Sequence, residues 1–244
     1  MISTSSLSAA RPAGGLAASA LAGSPTGGIL ASSGLNARRD RLERLKARIP
    51  KPGEASFFFY DAHFQAEAVK VLPGEYFVFN EDVLIMTTLG SCIATCLWDR
   101  PAKSGGMNHF MLPDNGGGAS DSGRYGSYAM ELLINEMLKM GASRMTLEAK
   151  VFGGGAVISG MNSINVGERN TAFVMEYLKT ERIPVVSKDV LEIYPRKVCF
   201  FPHSGKAMVK RLAPTNPDAI VQQERIAAQK VAPASTGGGS IDLF

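Results

Sequence analysis

Apolar and polar positions divide the chain into three stretches. Met1 to about Asn36 is Ala, Gly and Ser with almost nothing to bury, Phe57 to about Leu212 carries dense apolar runs separated by turn residues, and 213–244 thins out again. Runs of strand length open the middle stretch: Phe57–Tyr60, Ala68–Leu72, a turn at Pro73-Gly74, then Tyr76–Asn80. Val83–Thr87 is another, and it leads into Thr88-Leu89-Gly90-Ser91-Cys92. Ile93–Trp98 and Gly106–Leu112, joined by the polar segment 99–105, read as a hairpin with a long connection.

Beyond Pro113 the glycine-rich stretch Asp114–Gly123 predicts an exposed loop. The period then changes. Ala129, Leu132, Leu133, Met137 and Met140 share one face of a helix over Ser127–Met140, which Gly141 terminates. A strand over Arg144–Val151 runs into Gly153-Gly154-Gly155, and a second amphipathic helix over Glu168–Thr180 buries Phe173, Val174, Tyr177 and Leu178. Three strands close the pattern: Val185–Ile193, Val198–Phe201 and Ala207–Leu212. This order predicts an α+β fold with a mixed β-sheet flanked by two main helices, and no internal repeat is visible. The expected domain boundaries are 1–55 for a low-complexity, basic and largely disordered N-terminal extension, 56–212 for one folded domain, and 213–244 for a flexible tail.

Charge changes this picture little. The formal net charge is +4 and the sequence pI about 9.0. Much of the excess lies in Arg38–Ile49, where Leu42, Leu45 and Ile49 form a narrow stripe under a basic face, read as a solvated helix or linker, with docking onto an acidic helix or membrane surface as the alternative. No aromatic residues interleave with the basic run, so a single-strand nucleic-acid partner is not expected. Three cysteines are too few and too odd for a disulfide framework. No run approaches the ~20 apolar residues that span a bilayer, and Gly14–Gly23 makes a poor signal core. A cytoplasmic, reducing setting without membrane insertion is the expectation.

Candidate chemistry centres on Cys92. A tight turn at Gly90-Ser91-Cys92, at the end of an apolar strand, lifts a thiol out of the core and directs backbone N–H groups around it, which can lower a thiol pKa and stabilise an oxyanion. An inert core cysteine is the competing reading, and it is the one given to Cys96 and Cys199. Of three histidines, His109 occupies an otherwise apolar strand, where an imidazole is costly unless paired. An ideal hairpin register offsets it from Cys92 by about three residues, on the order of 10 Å, so a bulge is expected to bring them together. His203 reads as a polar turn residue and His63 precedes the dense core. Cys92, Cys96 and His109 lack a nearby fourth ligand for zinc, and Gly153–Gly155 lacks the Lys-Ser/Thr of a phosphate loop, so no metal or cofactor is expected; those glycines are expected to let backbone pass close to the active centre.

Five segments in order, Thr87-Thr88-Leu89-Gly90-Ser91-Cys92, Gly105-Gly106-Met107-Asn108-His109-Phe110-Met111-Leu112-Pro113, Arg124-Tyr125-Gly126, Lys150-Val151-Phe152-Gly153-Gly154-Gly155-Ala156 and Asn165-Val166-Gly167-Glu168-Arg169-Asn170, resemble the CheD family of chemoreceptor glutamine deamidases. The resemblance runs from about Glu75 to Leu212. It implies a layered α+β sandwich that hydrolyses selected glutamine side chains of chemoreceptors to glutamate, releasing ammonia without a cofactor. It maps the nucleophile onto Cys92 and the base onto His109. A third member falls on Thr87 or Thr88, with Thr87 closer to the family spacing, and Gly90 and Ser91 supply the oxyanion turn. Chemoreceptor cytoplasmic domains are the implied partners, with a CheC-like phosphatase as a second. The alternative is a module that docks a receptor or such a phosphatase with little catalysis.

Overall fold

The computed structural model describes residues 40–112, 119–157 and 163–213, together with positions 222 and 226. In chain order the elements are α1 (residues 40–46), β1 (Phe57–Asp61), β2 (Ala66–Lys70), β3 (Tyr76–Phe79), β4 (Leu84–Leu89), β5 (Ile93–Asp99), β6 (Ser104–Phe110), α2 (Ala119–Lys139), β7 (Leu147–Gly153), α3 (Ser163–Thr180), β8 (Val185–Val190), β9 (Arg196–Phe201) and β10 (Lys206–Arg211). The strands form two five-stranded sheets, ordered β1-β2-β4-β9-β10 and β3-β6-β5-β7-β8. Each is mixed: β2–β4 and β7–β8 run parallel and the remaining pairs antiparallel. The α+β class holds, with two facing sheets rather than one sheet between helices. Among the described helices none is long and apolar enough to cross a membrane.

Side-chain alternation assigns the faces. Ile85 and Leu89 on β4, Ala94 and Cys96 on β5, Met107 on β6, and Val198 and Phe200 on β9 share one core between the sheets. The opposite face of β5, with Ile93 and Leu97, packs with Phe110 against Met130, Leu133, Ile134 and Met137 of α2 and Val174 and Leu178 of α3. Both main helices therefore cover the second sheet. The outer face of the first sheet carries a smaller cluster of Ala68, Leu84, Met86 and Cys199.

Three boundaries differ from the sequence reading. Packed chain is already present at residue 40, ahead of the expected start at 56. Leu45 of α1 is 3% exposed within the inter-sheet core, Arg41 pairs with buried Glu67, and Lys51 reaches Glu136 of α2. Arg48 lies over the rings of Phe77 and Phe79. Residues 1–39 and most of the tail lie outside the described residues.

The two main helices also start early, α2 at Ala119 and α3 at Ser163, so part of the expected loop 114–123 is helical. Both continue through a glycine that local propensity disfavours, and in both a tertiary contact requires it. A Cβ on Gly126 meets the Phe173 ring at 2.4 Å, and one on Gly167 meets the Gly154 carbonyl oxygen at 2.4 Å. Helix propensity alone makes Gly167→Ala stabilising by about 1 kcal/mol. Close packing against backbone reverses the sign: a loss of about 1–3 kcal/mol is expected from the denaturant midpoint.

Candidate active site

The chain changes sheets between β4 and β5, and the corner is Gly90-Ser91-Cys92. All three corner carbonyls are held. Gly155 N–H donates to Gly90 O at 2.8 Å, Asn170 Nδ2 to Ser91 O at 2.9 Å, and Gly154 N–H to Cys92 O at 2.8 Å. In a trans peptide the N–H projects opposite the C=O, so fixing Gly90 O and Ser91 O directs the N–H groups of Ser91 and Cys92 to the other side of the turn. The expectation for the glycine run is met by close approach: a Cβ on Gly153 lies 2.1 Å from Cys92 O, and Gly153 and Gly154 have φ of +113° and +67°.

Thr87 and His109 come from different sheets and meet between them. The Thr87 hydroxyl lies 2.7 Å from Val71 O and 2.8 Å from His109 Nδ1. A carbonyl only accepts, so the one hydroxyl proton of Thr87 goes to Val71. Thr87 Oγ1 must then accept from His109, which fixes the proton on Nδ1 and leaves Nε2 as the basic nitrogen of the neutral ring. Thr88 is half-exposed and alternates to the other face of β4, paired with Lys197. The geometry thus separates the two threonines.

The spacing of Cys92 and His109 differs from the expected offset of three. His109 is paired with Ala94 in an unbroken β5–β6 register, and Cys92 is two residues before Ala94. An even offset puts Cys92, at the bend ahead of β5, on the face of Ala94 that His109 shares, in keeping with the common cluster of Cys92, Ala94 and Cys96, and the register contains no bulge. An odd offset would have put them on opposite faces. The hairpin closes at Asp99 and Ser104, so β6 begins two residues earlier and β5 ends one residue later than the sequence reading, and the net shift of one accounts for the difference.

These groups are buried: Thr87 is 2%, Ser91 3%, Cys92 0% and His109 2% exposed. Of these four only His109 lines a cleft, together with Gly74, Glu75, Tyr76 and the α2 residues Tyr125 and Tyr128, among others. Burial raises the Tyr125 phenol, and the Cys92 thiolate acts in the same direction, which places these two groups within electrostatic reach. Burial also drives the Cys96 thiol far up and raises Cys199, in keeping with inert cysteines. His203 is exposed, with Nδ1 3.1 Å from Asn80 O, and His63 is exposed beyond β1. Among the described residues no group of three or more His, Cys, Asp or Glu is placed to hold a metal ion.

Two supporting residues received no role from sequence reasoning, although Asn170 lies in the fifth of the CheD-like segments. Asn170 of α3, fully buried, also accepts from Leu112 N–H at 3.0 Å and so ties the Cys92 corner to the end of β6. Arg196, fully buried, donates from Nε to Asp189 Oδ1 at 2.6 Å, from Nη1 to Tyr194 O at 2.9 Å and from Nη2 to Leu191 O at 2.5 Å. It braces Leu191 and Glu192, both at φ +64°, whose backbone bonds to Gly153 and Ala156. Burial opposes ionisation of Asp189, but Arg196 and Arg211 prevail and hold its carboxyl below the usual range. Polar residues inside an amphipathic helix and at the start of a strand were the available signals.

Comparison with known proteins matches residues 111–211 to the family described as CheD chemotactic sensory transduction. A protein of Albidiferax ferrireducens, named probable chemoreceptor glutamine deamidase CheD 1, is 59% identical over 229 residues, covering 94% of this chain and 95% of that relative. The chain belongs to the CheD family. A CheD of Janthinobacterium sp., named as a probable chemoreceptor glutamine deamidase, is 50% identical over 81% of this chain and 99% of its own length. A CheD 1 of Dechloromonas aromatica with the same descriptor is 52% identical over 76% and 93%. The family-model match starts after Thr87, Cys92 and His109, whereas the alignment with the Albidiferax CheD covers nearly the whole chain.

Asn170→Ala strips partners from two buried backbone groups, Ser91 O and Leu112 N–H. A loss of about 2–4 kcal/mol is expected in chemical denaturation. A loss near zero would show that the corner is held without it.

Proposed function

We propose that this chain is a protein-glutamine glutaminase that converts glutamine side chains of chemoreceptor cytoplasmic domains to glutamate, with Cys92 as nucleophile, His109 as base and Thr87 as the residue that orients His109. The observation that carries the reading is the Thr87–His109 hydrogen bond of 2.8 Å, whose direction is fixed by Val71 and which leaves Nε2 basic on the face that Cys92 shares. Relatives at 50%, 52% and 59% identity named as probable chemoreceptor glutamine deamidases support the substrate class. Three cysteines that form no disulfide go with a cytoplasmic setting.

His109 Nε2 takes the thiol proton, and the thiolate attacks the carbon of the glutamine amide. The tetrahedral oxyanion is met by N–H groups of the Ser91–Cys92 turn, oriented before the reaction because the carbonyls behind them are tied. The imidazolium gives its proton to the departing nitrogen, releasing ammonia and leaving a thioester on Cys92. Water, deprotonated by Nε2, hydrolyses the thioester to glutamate and restores the thiol. Thr87 keeps the ring in the useful tautomer through both halves, the part a carboxylate plays in a serine-protease triad.

One observation favours the second reading, a module that docks a receptor or a CheC-like phosphatase with little catalysis: the Cys92 thiol has no exposed surface. Against it stands the chemistry of the burial. An imidazole and a threonine hydroxyl in an apolar inter-sheet core cost stability that an aliphatic pair would not, and such departures from good packing mark functional sites. Substrate-free geometry often tightens or opens on binding.

Ammonia release and Gln-to-Glu conversion in a receptor cytoplasmic fragment, read by mass spectrometry, decide between the two. Cys92→Ala is expected to abolish conversion while remaining folded, and conversion that survives it removes Cys92 from the mechanism. Thr87→Val is expected to lower kcat/KM by about 10- to 100-fold, in the range for residues that orient a reactive group, with Thr87→Ser restoring most of it and Thr88→Val near wild type. Equal effects of Thr87→Val and Thr88→Val would contradict the assignment of Thr87.

A further inference from the structure

The hydrogen-bond chain from His109 does not end at Thr87. Val71 O, which accepts the Thr87 hydroxyl proton, belongs to the peptide unit whose N–H is that of Leu72. This N–H donates to Glu75 Oε2 at 2.9 Å. One planar amide therefore connects Thr87 on its carbonyl side to a carboxylate on its N–H side. The full path runs from His109 Nδ1–H to Thr87 Oγ1, from Thr87 O–H to Val71 O, and from Leu72 N–H to Glu75. Every donor and acceptor in it has a fixed direction.

Glu75 is tied to His109 by backbone as well. His109 N–H donates to Glu75 O at 2.9 Å and Gly74 N–H to His109 O at 2.7 Å, which extends the β3–β6 ladder beyond Tyr76–Asn108. Glu75 N–H also donates to Leu72 O at 2.9 Å, so the 72–75 turn is closed by both the backbone and the side chain of one residue.

We infer that Glu75 is a positioning residue for the reaction, supplying through the 71–72 peptide and Thr87 the negative charge that a threonine in the third place of the triad lacks. The inference rests on the deamidase reading for its catalytic meaning. A carboxylate bound to an amide N–H polarises the amide and makes its carbonyl a stronger acceptor. Val71 O then draws the Thr87 proton more strongly, Thr87 Oγ1 becomes a better acceptor, and the imidazolium form of His109 is stabilised. The charge is remote enough to leave His109 able to cycle, and the fixed directions preserve the tautomer.

The other groups around His109 do not duplicate this charge. Among the described residues they include Thr87 from β4, the Cys92 thiol from the corner, and the phenols of Tyr76, Tyr125 and Tyr128 around the cleft. Burial, assisted by Glu136 and Glu54, pushes Tyr76 up to about 12, and burial raises Tyr125, so neither supplies a charge near neutral pH. Glu75 is the carboxylic acid among the cleft-lining residues. Burial raises its own pKa, and the Leu72 N–H opposes that by favouring the carboxylate.

Glu75→Gln keeps an oxygen for Leu72 N–H and removes the charge. With Cys92→Ala to remove the coupled thiol, the titration midpoint of the His109 ring, followed by NMR, is expected to fall by about half a pH unit. Thr87→Val interrupts the chain, and in its presence Glu75→Gln is expected to shift the midpoint much less. In the Cys92 enzyme, Glu75→Gln is expected to lower kcat about three- to tenfold with KM little changed. A midpoint that does not move, or a shift undiminished by Thr87→Val, overturns the inference. A second measurement needs no Glu75 variant: the Leu72 amide and the His109 ring must show a common inflection as Glu75 titrates in acid, and separate inflections overturn the inference equally. The titrations do not use turnover. Failure of the wild-type chain to release ammonia would refute the deamidase reading and leave the coupling to be decided on its own.

Discussion

The geometry around His109 depends on one hydroxyl that reaches from one sheet to the other. Thr87 belongs to the sheet of β1, β2, β4, β9 and β10, and His109 to the other. Their side chains meet in an apolar core that includes Val69, Val71, Ile85, Leu89, Met107, Val198 and Phe200. In those surroundings an unpaired imidazole or hydroxyl is costly, so the Thr87–His109–Val71 arrangement has few alternatives and holds one geometry. The change of sheet between β4 and β5 lies three residues beyond β4 at Cys92. Connectivity, register and polar pairing thereby bring the thiol and the basic nitrogen to the same face.

Behind the corner the fold is unusually constrained. The run Gly153–Gly155 approaches Gly90 and Cys92 so closely that side chains are excluded, Asn170 takes the remaining carbonyl, and Arg196 braces the strained pair Leu191 and Glu192 that backs the run. Backbone strain of this kind persists where surrounding contacts over-determine it, and it concentrates at functional sites. For acyl transfer the benefit is preorganisation: N–H groups already aimed need no rearrangement as negative charge develops.

Much of this was legible in the sequence because local pattern and global fold agree. Strand runs at 57–60, 76–80, 93–98 and 198–201 fall on observed strands, and Cys92 and His109 stood out as a polar turn and a polar side chain in apolar strands. What stayed hidden depends on partners distant in the chain. Gly126 and Gly167 read as helix breakers until Phe173 and Gly154 appear beside them. The hairpin offset turned on both ends of the connection, β6 beginning two residues earlier and β5 ending one residue later than the sequence reading, a net register change of one that alters parity and so the face on which His109 lies. Leu45 looked like part of a solvated helix because the cavity it fills is built by strands far along the sequence. Glu75 reads as a turn residue, and its connection to His109 runs through a peptide unit that no side-chain pattern displays.

The decisive quantity is the location of one proton on one ring. Nitrogen-15 NMR of His109 in Cys92→Ala, at a pH where the ring is neutral, reads it directly. The arrangement of Val71 and Thr87 predicts a protonated Nδ1 and a bare Nε2, with that preference lost in Thr87→Val. A proton on Nε2 in the threonine-containing protein would mean that Thr87 donates to the ring rather than to Val71, leaving His109 unable to accept the thiol proton through the nitrogen assigned to it.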